Sequence, residues 1–168
     1  MTSERTEPRW LDDDEQRSWR AYLRGSRLLE AALDRDLQDH GVQLSEYEIM
    51  SMLSEHPQRR LRMSEIAALV VQSRSRLTHT AARLEKRGYV RREQCAGDRR
   101  GVELVLTDEG YAAVQQIAPL HVASVRAAFV DHLSPEKFAA LGAAMQEVVD
   151  GIEATGACEE VREGILPA

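Results

Sequence analysis

The sequence has few cysteines and no long apolar run, and each shortage removes a class of protein. Two cysteines in 168 residues, Cys95 and Cys158, form neither a disulfide framework nor a metal-type cluster. No apolar stretch approaches the ~18 residues of a membrane-spanning helix. The stretch MTSERTEPRW is charged and lacks the apolar core of a secretory signal, so a cytoplasmic protein with no membrane partner is expected. Signatures of catalysis are missing too: there is no glycine-rich phosphate loop, no Ser/His/Asp spacing and no zinc-type Cys/His motif. Neither an enzyme nor a cofactor is expected. What remains is an apolar fraction of 43%, enough for a real core, in a length that suits one domain.

Charge is unevenly spread. The formal net charge is -6, yet residues 59–106 hold twelve Lys/Arg against five Asp/Glu, a local +7. The rest of the chain holds ten against 23. A basic block inside an acidic chain is the footprint of a polyanion partner, whereas a solvated charged face would need no such contrast.

Periodicity places the block within a set of helices. Asp12 and Glu15 form a capping-box pattern, and Trp19, Tyr22, Leu23, Leu29, Leu33 and Leu37 recur at three- and four-residue spacings. The spacing predicts a helix over about 13–39, roughly 40 Å long, with Gly41 as its stop. Such length calls for a partner beyond the helix's own neighbours. Ser45 is expected to cap a short helix with Ile49, Met52 and Leu53 inward, ended by His56-Pro57. Ser64 is expected to cap the next, burying Ile66, Ala67, Leu69 and Val70. Ser73 or Ser75 opens a third, with Leu77, Ala81 and Leu84 as its stripe and Gly88 closing it. Short helix, turn and helix make a helix-turn-helix, whose second helix enters the major groove.

The polar side of that second helix suits DNA. Ser73, Arg74, Ser75, Arg76, Thr78, His79 and Arg83 crowd it, and no acidic residue occurs from 73 to 84. Arg can pair with guanine, while Ser and Thr reach bases or phosphates. Two β-like runs follow, GYVRREQ and GVELVLT, joined by CAGDRR with Gly97 and Gly101 bracketing the tip. RLRM offers a third short strand. The expected architecture is mainly α with a small β wing, a winged helix-turn-helix. Arg99 and Arg100 would stand at the wing tip, where the narrow minor groove has enhanced negative potential, with Asp98 orienting a guanidinium.

Two more helices complete the pattern. Thr107 caps one, where Val114, Ile117, His121, Val125 and Phe129 form a stripe and Pro119 is expected to introduce a kink. Ser134-Pro135-Glu136 opens the last, whose Phe138, Leu141, Met145, Val148 and Ile152 make a seam for a partner helix.

The succession LRMSEIA, SRLTHTAARLEKRGYV and DRRGVELVLTDEG, set between long terminal helices, resembles the MarR family of bacterial transcription regulators over roughly 12–153. LEKRGYV (84–90), Asp98-Arg99-Arg100, Leu106-Thr107 and Gly110 carry the resemblance most specifically. It implies a homodimer on a palindromic double-stranded operator, with Arg100 in the minor groove braced by Asp98. It further implies a repressor released by a small phenolic, aromatic or anionic effector. His79 departs from the pattern, since members often carry Arg there. The expected organisation is one domain over 1–168: dimerisation helices at 12–40 and 108–153, a DNA-binding lobe at 45–106, and tails at 1–9 and 154–168.

An effector cleft is expected between the first, second and fifth helices. Trp10, Trp19, Tyr22 and Tyr47 are its candidate walls, and Arg20 and Arg24 the candidate anion contacts. The alternative regulator senses metal or redox state. His121 and His132 lie about three helical turns apart, and Cys95 has Arg91, Arg92 and Arg99 nearby in sequence. MarR-like peroxide sensors carry their cysteine near the first helix, where this chain has none. A pure interaction module would use the long helices and leave the basic block unexplained.

Overall fold

The computed structural model describes residues 8–70, 73–95 and 98–155, with Arg99 and Arg100 described by their backbone alone. Gly97 at the expected turn, Cys158 and most of both expected tails lie outside the described residues. The elements run α1 (Asp13–Gln38), α2 (Leu44–Glu55), β1 (Arg60–Arg62), α3 (Met63–Leu69), α4 (Arg74–Lys86), β2 (Val90–Cys95), β3 (Asp98–Leu106), α5 (Asp108–Ala128), a 3-10 turn (Val130–His132) and α6 (Pro135–Ala154).

Local chemistry sets most boundaries. The Asp12 carboxylate accepts from the Asp14 and Glu15 backbone N–H groups at 2.9 and 2.8 Å, and Glu15 reaches back to the Asp12 N–H at 2.9 Å. This capping box opens α1 as expected. Gly41 and Gly88 take φ of +73° and +76° where α1 and α4 stop, a conformation that costs glycine little. Ser73, Thr107 and Ser134 cap α4, α5 and α6 by accepting from the backbone N–H three residues on.

Two expected caps are corrected. α2 opens at Gln43, not Ser45, and α3 opens at Arg62, not Ser64. In both, the glutamate at the third helical position, Glu46 or Glu65, accepts from the N-cap backbone N–H. The acid is the signal in these two helices. Two inward residues change with them: Met50 is buried where Met52 was expected, and Leu69 is 57% exposed. α5 runs unbroken through the exposed Pro119.

β1 pairs antiparallel with β3, and β3 with β2, giving the order β1-β3-β2. Val90, Leu104 and Leu106 join Ile49, Met50, Leu53, Ile66, Leu77, Ala81 and Leu84 in one core, to which Leu37, Val42 and, from α5, Val114 and Ile117 also belong. The core therefore belongs to the middle of the chain. α1 buries only Leu37 and α6 buries none of its residues, while Trp19, Tyr22, Leu28, Phe138, Val148 and Ile152 stay 39–60% exposed.

The junction of the sheet and α5 is tight. Thr107 Oγ1 donates to the Gly88 and Tyr89 carbonyl region (2.7 and 3.1 Å) and accepts from the Gly110 N–H at 3.0 Å. A Cβ on Gly110 would fall 2.1 Å from the Tyr89 carbonyl oxygen. Backbone cannot retreat as a side-chain tip can. Gly110→Ala is therefore expected to destabilise the protein by about 1–3 kcal/mol or more, read from the urea midpoint at constant slope.

Candidate nucleic-acid interface

α4 divides cleanly by face. Leu77, Thr80, Ala81 and Leu84 are buried, which turns Arg74, Ser75, Arg76, Thr78 and His79 outward together. Among the described residues, no side chain pairs with the guanidinium of Arg74 or Arg76. The hydroxyls are partly committed. Ser73 Oγ caps the helix by accepting from the Arg76 N–H at 3.4 Å, and Thr78 Oγ1 donates to the Arg74 carbonyl at 2.7 Å. Thr78 thus offers an outside partner its lone pairs, which suit a base amino group better than a phosphate.

Arg83 stands apart from this group. Its Nε donates to Glu46 at 3.0 Å and its Nη2 to the Gln43 side-chain oxygen at 2.7 Å. Glu46 is only 4% exposed and also accepts from Arg87 Nη1 at 3.3 Å and from the Gln43 N–H at 3.1 Å. Arg87 Nη1 donates to the Gly41 carbonyl at 2.7 Å as well, and its guanidinium lies 4.6 Å from the Tyr89 ring centroid. One buried carboxylate therefore ties the α1–α2 connection, α2 and the C-terminal half of α4 together. Arg83, expected among the DNA contacts, has its guanidinium engaged by Glu46 and Gln43, with its side chain 46% exposed.

The wing is fixed to α4 by a second set of ion pairs. Glu85 accepts from the Arg92 backbone N–H at 3.2 Å and lies 3.5 Å from Arg92 Nε, while Arg92 Nη2 donates to the Thr78 carbonyl at 3.3 Å. Across the ribbon, Glu93 faces Glu103 directly, a repulsive arrangement for like charges. Arg60 resolves it from β1 by donating to Glu103 at 2.9 Å and Glu93 at 2.5 Å, and Arg91 adds a 2.6 Å bond to Glu93. Arg91 and Arg60 hold the Glu93 carboxyl below the ordinary carboxylate range, in that order of strength.

The turn of the wing is shorter than expected. Cys95 already pairs with Asp98, and the register then shifts to Gln94–Val102, so Arg99, Arg100 and Gly101 lie in an irregular stretch of β3. Gly101 belongs to the strand instead of bracketing the tip. A Cβ there would meet Cys95 Sγ at 2.7 Å and Asp98 Oδ2 at 2.8 Å. Asp98 lies 3.6 Å from Arg62 Nη1, a partner on β1 that no spacing in the sequence announces. Between α4 and the wing runs a groove of about 540 Å³ lined by Arg62, Ser64, Arg74, Thr78, Arg92 and Asp98 over Met63, Leu77 and Val102. Arg62 and Arg92 were legible only as members of the basic block.

The effector candidates do not come together. Tyr47 is 6% exposed, with its ring 4.5 Å from that of His121. Trp10 is 83% exposed, and Trp19 stacks on Tyr22 at 5.9 Å with both half exposed. The apolar cleft present, about 760 Å³, lies between α1, the end of α5 and α6, and only Tyr22 of the six candidates lines it. Arg20 and Arg24 are exposed and line neither cleft. The sensor alternatives also lose ground. Cys95 is buried, without the access a redox sensor needs, and among the described residues no cluster of His, Cys, Asp and Glu could hold a metal ion. His121 packs on Tyr47 while His132 is exposed in the 3-10 turn.

Known proteins share this arrangement. A family model described as MarR family matches residues 40–101. The MarR family transcriptional regulator Sco3205 of Streptomyces coelicolor, solved in complex with DNA, superposes with a TM-score of 0.83 at 49% identity, covering 87% of this chain and 92% of that one. AbsC, another MarR family regulator of that organism, gives 0.82 at 44% identity, covering 88% and 99%. The HTH-type transcriptional regulator PecS of Dickeya dadantii is 34% identical over 113 residues, 67% of this chain and 66% of its own length. Among the described residues, no helix is long and apolar enough to cross a membrane.

Acid should loosen the wing before the core. A carboxylate whose folded pKa is depressed stabilises the fold above its unfolded pKa, and that contribution is lost as pH falls through the folded value. Lowering pH from about 5 to about 3 is therefore expected to lower the amide protection factors of β1 and β2, taken relative to intrinsic exchange at each pH. Glu93→Gln, which removes the titrating group, should flatten that dependence.

Proposed function

This chain belongs to the MarR family of transcriptional regulators, and from that premise we propose that it is a repressor acting as a homodimer on a palindromic duplex operator. The observation that carries this reading is the outward array of Arg74 and Arg76 on α4 beside the wing strand bearing Arg99 and Arg100. In this reading Arg74, Ser75, Arg76, Thr78 and His79 enter the major groove from the N-terminal half of α4. Arg100 enters the adjacent minor groove, with Asp98 as its brace. Residues 45–106 form the DNA lobe of a single domain, and 12–40 with 108–153 form the dimer. The exposed apolar residues of α1 and α6 support that assignment, because soluble monomers rarely leave so continuous an apolar face. The role is regulatory, not enzymatic, and the setting cytoplasmic. A small aromatic or anionic effector releases the operator by binding the DNA-incompetent spacing of the lobes more tightly.

Charge sets the expected salt response. Four arginines per protomer, Arg74, Arg76, Arg99 and Arg100, would neutralise about eight phosphates per dimer, so log K should fall with log salt at a slope near -7. Arg100→Ala should weaken operator binding by roughly 1–3 kcal/mol for each half-site, and Arg76→Ala should also relax base preference. Unchanged operator binding by Arg100→Ala in a gel shift would defeat the wing assignment. Sedimentation at micromolar concentration should give a single dimeric species, and an aromatic acid that acts as effector should abolish the shifted band without dissociating the dimer.

A further inference from the structure

Glu46 is placed where it governs charge as well as packing. Arg83 follows Arg76 by seven residues, so the two share a stripe of α4 about two turns apart. The Arg83 side chain is 46% exposed, so it borders solvent on the helix proposed to read DNA. Two of its donor positions nevertheless point back to Glu46 and Gln43. Arg87, one turn further on, is drawn to the same carboxylate and to the Gly41 carbonyl. A carboxylate that is 5% exposed and collects two guanidinium groups removes a pair of cations per protomer from the sequence-independent attraction for phosphate. Base contacts come from the N-terminal residues of such a helix, which Glu46 leaves alone.

We propose that Glu46 is a specificity-determining positioning residue: by holding Arg83 and Arg87 it confines the DNA-facing charge of α4 to the end that reads bases, and so limits non-specific binding. The proposal rests on the DNA-binding reading of α4. A purely structural clamp would alter stability and specific affinity but would leave the number of phosphates neutralised unchanged, so the salt slope separates the two.

The experiment uses the full chain on two probes, a duplex enriched by the wild-type protein from a random pool and a random-sequence duplex of about 30 base pairs, long enough for two half-sites and flanks. Affinities are measured between about 50 and 200 mM salt. Glu46→Gln keeps the size of the side chain and its capping role while removing the charge. It should steepen the slope on the random duplex by about 2–4, as up to four guanidiniums per dimer become available, and lower the specific-to-random ratio about tenfold or more. Arg83→Gln with Glu46 intact should leave the random-duplex slope unchanged. The proposal is overturned if Glu46→Gln leaves the slope unchanged, or if Arg83→Gln makes it shallower by about 2, the sign that Arg83 already touches phosphate. Should Glu46→Gln fail to fold by circular dichroism, Glu46→Asp, too short to hold both Arg83 and Arg87, takes its place, and a random-duplex slope equal to that of the wild type overturns the proposal. A wild-type protein without salt response would instead overturn the DNA-binding reading, and that failure is visible before any variant is compared.

Discussion

A carboxylate buried to 4% exposure must be paired, and the pairing of Glu46 fixes where α4 lies. Its partners are Gln43, the residue just before α2, Arg83 in the last turns of α4 and Arg87 at its C-cap. Removing one member of a fully buried pair costs about 3–5 kcal/mol, a large share of the roughly 5–15 kcal/mol that holds a typical domain. Arg83 and Arg87 are partly exposed, so the figure here is smaller. Hydrophobic burial is non-directional and would tolerate α4 sliding over its apolar stripe. Directed bonds from guanidinium to carboxylate do not tolerate it.

The same division recurs through the basic block. Of its twelve Lys/Arg, Arg59, Arg60, Arg62, Arg83, Arg87, Arg91 and Arg92 have acidic partners within the fold. Among the described residues these seven are structural ties, and two of their acidic partners, Glu46 and Asp108, lie outside the block and lower the charge it presents below its local +7. Arg59 shows the pattern at its clearest: at φ +50° it lies 3.5 Å over the Tyr111 ring and reaches Asp108, joining the start of β1 to α5. Arg92 and Glu85 tie the wing to α4, while Arg59 and Asp108 tie the approach to β1 to α5.

Local signals in the sequence identified the elements that are decided locally. Asp12 with Glu15, Ser73, Thr107 and Ser134 each mark a helix start through a bond spanning three residues, and the Leu77–Ala81–Leu84 stripe needs only the helical repeat. Ser45 and Ser64 misled because a capping serine and a capping-box glutamate are both start signals, and here the glutamate directly after each serine sets the boundary. Non-local choices were not legible. Nothing near Arg83 in sequence distinguishes it from Arg76, and its fate depends on a glutamate 37 residues away. Tyr47 reads as an aromatic like Trp19, yet one is in the core beside His121 and the other half exposed on α1. Periodicity identifies a face without saying what covers it.

α5 joins the core of the middle of the chain to the cleft beside α1 and α6. Its first half contributes Gly110, Val114 and Ile117 to the lobe core, and its far end leads into Phe129 at the cleft shared with α1 and α6. A continuous helix of 21 residues spans about 32 Å, so a small tilt at one end becomes a displacement of ångströms at the other. His121 lies between the two halves, packed on Tyr47 of α2, with Nδ1 buried and unpaired among the described residues and its pKa lowered by burial. α2 and α5 thus meet ring to ring at Tyr47 and His121, whereas charged ties hold α4 to α2 and to the wing.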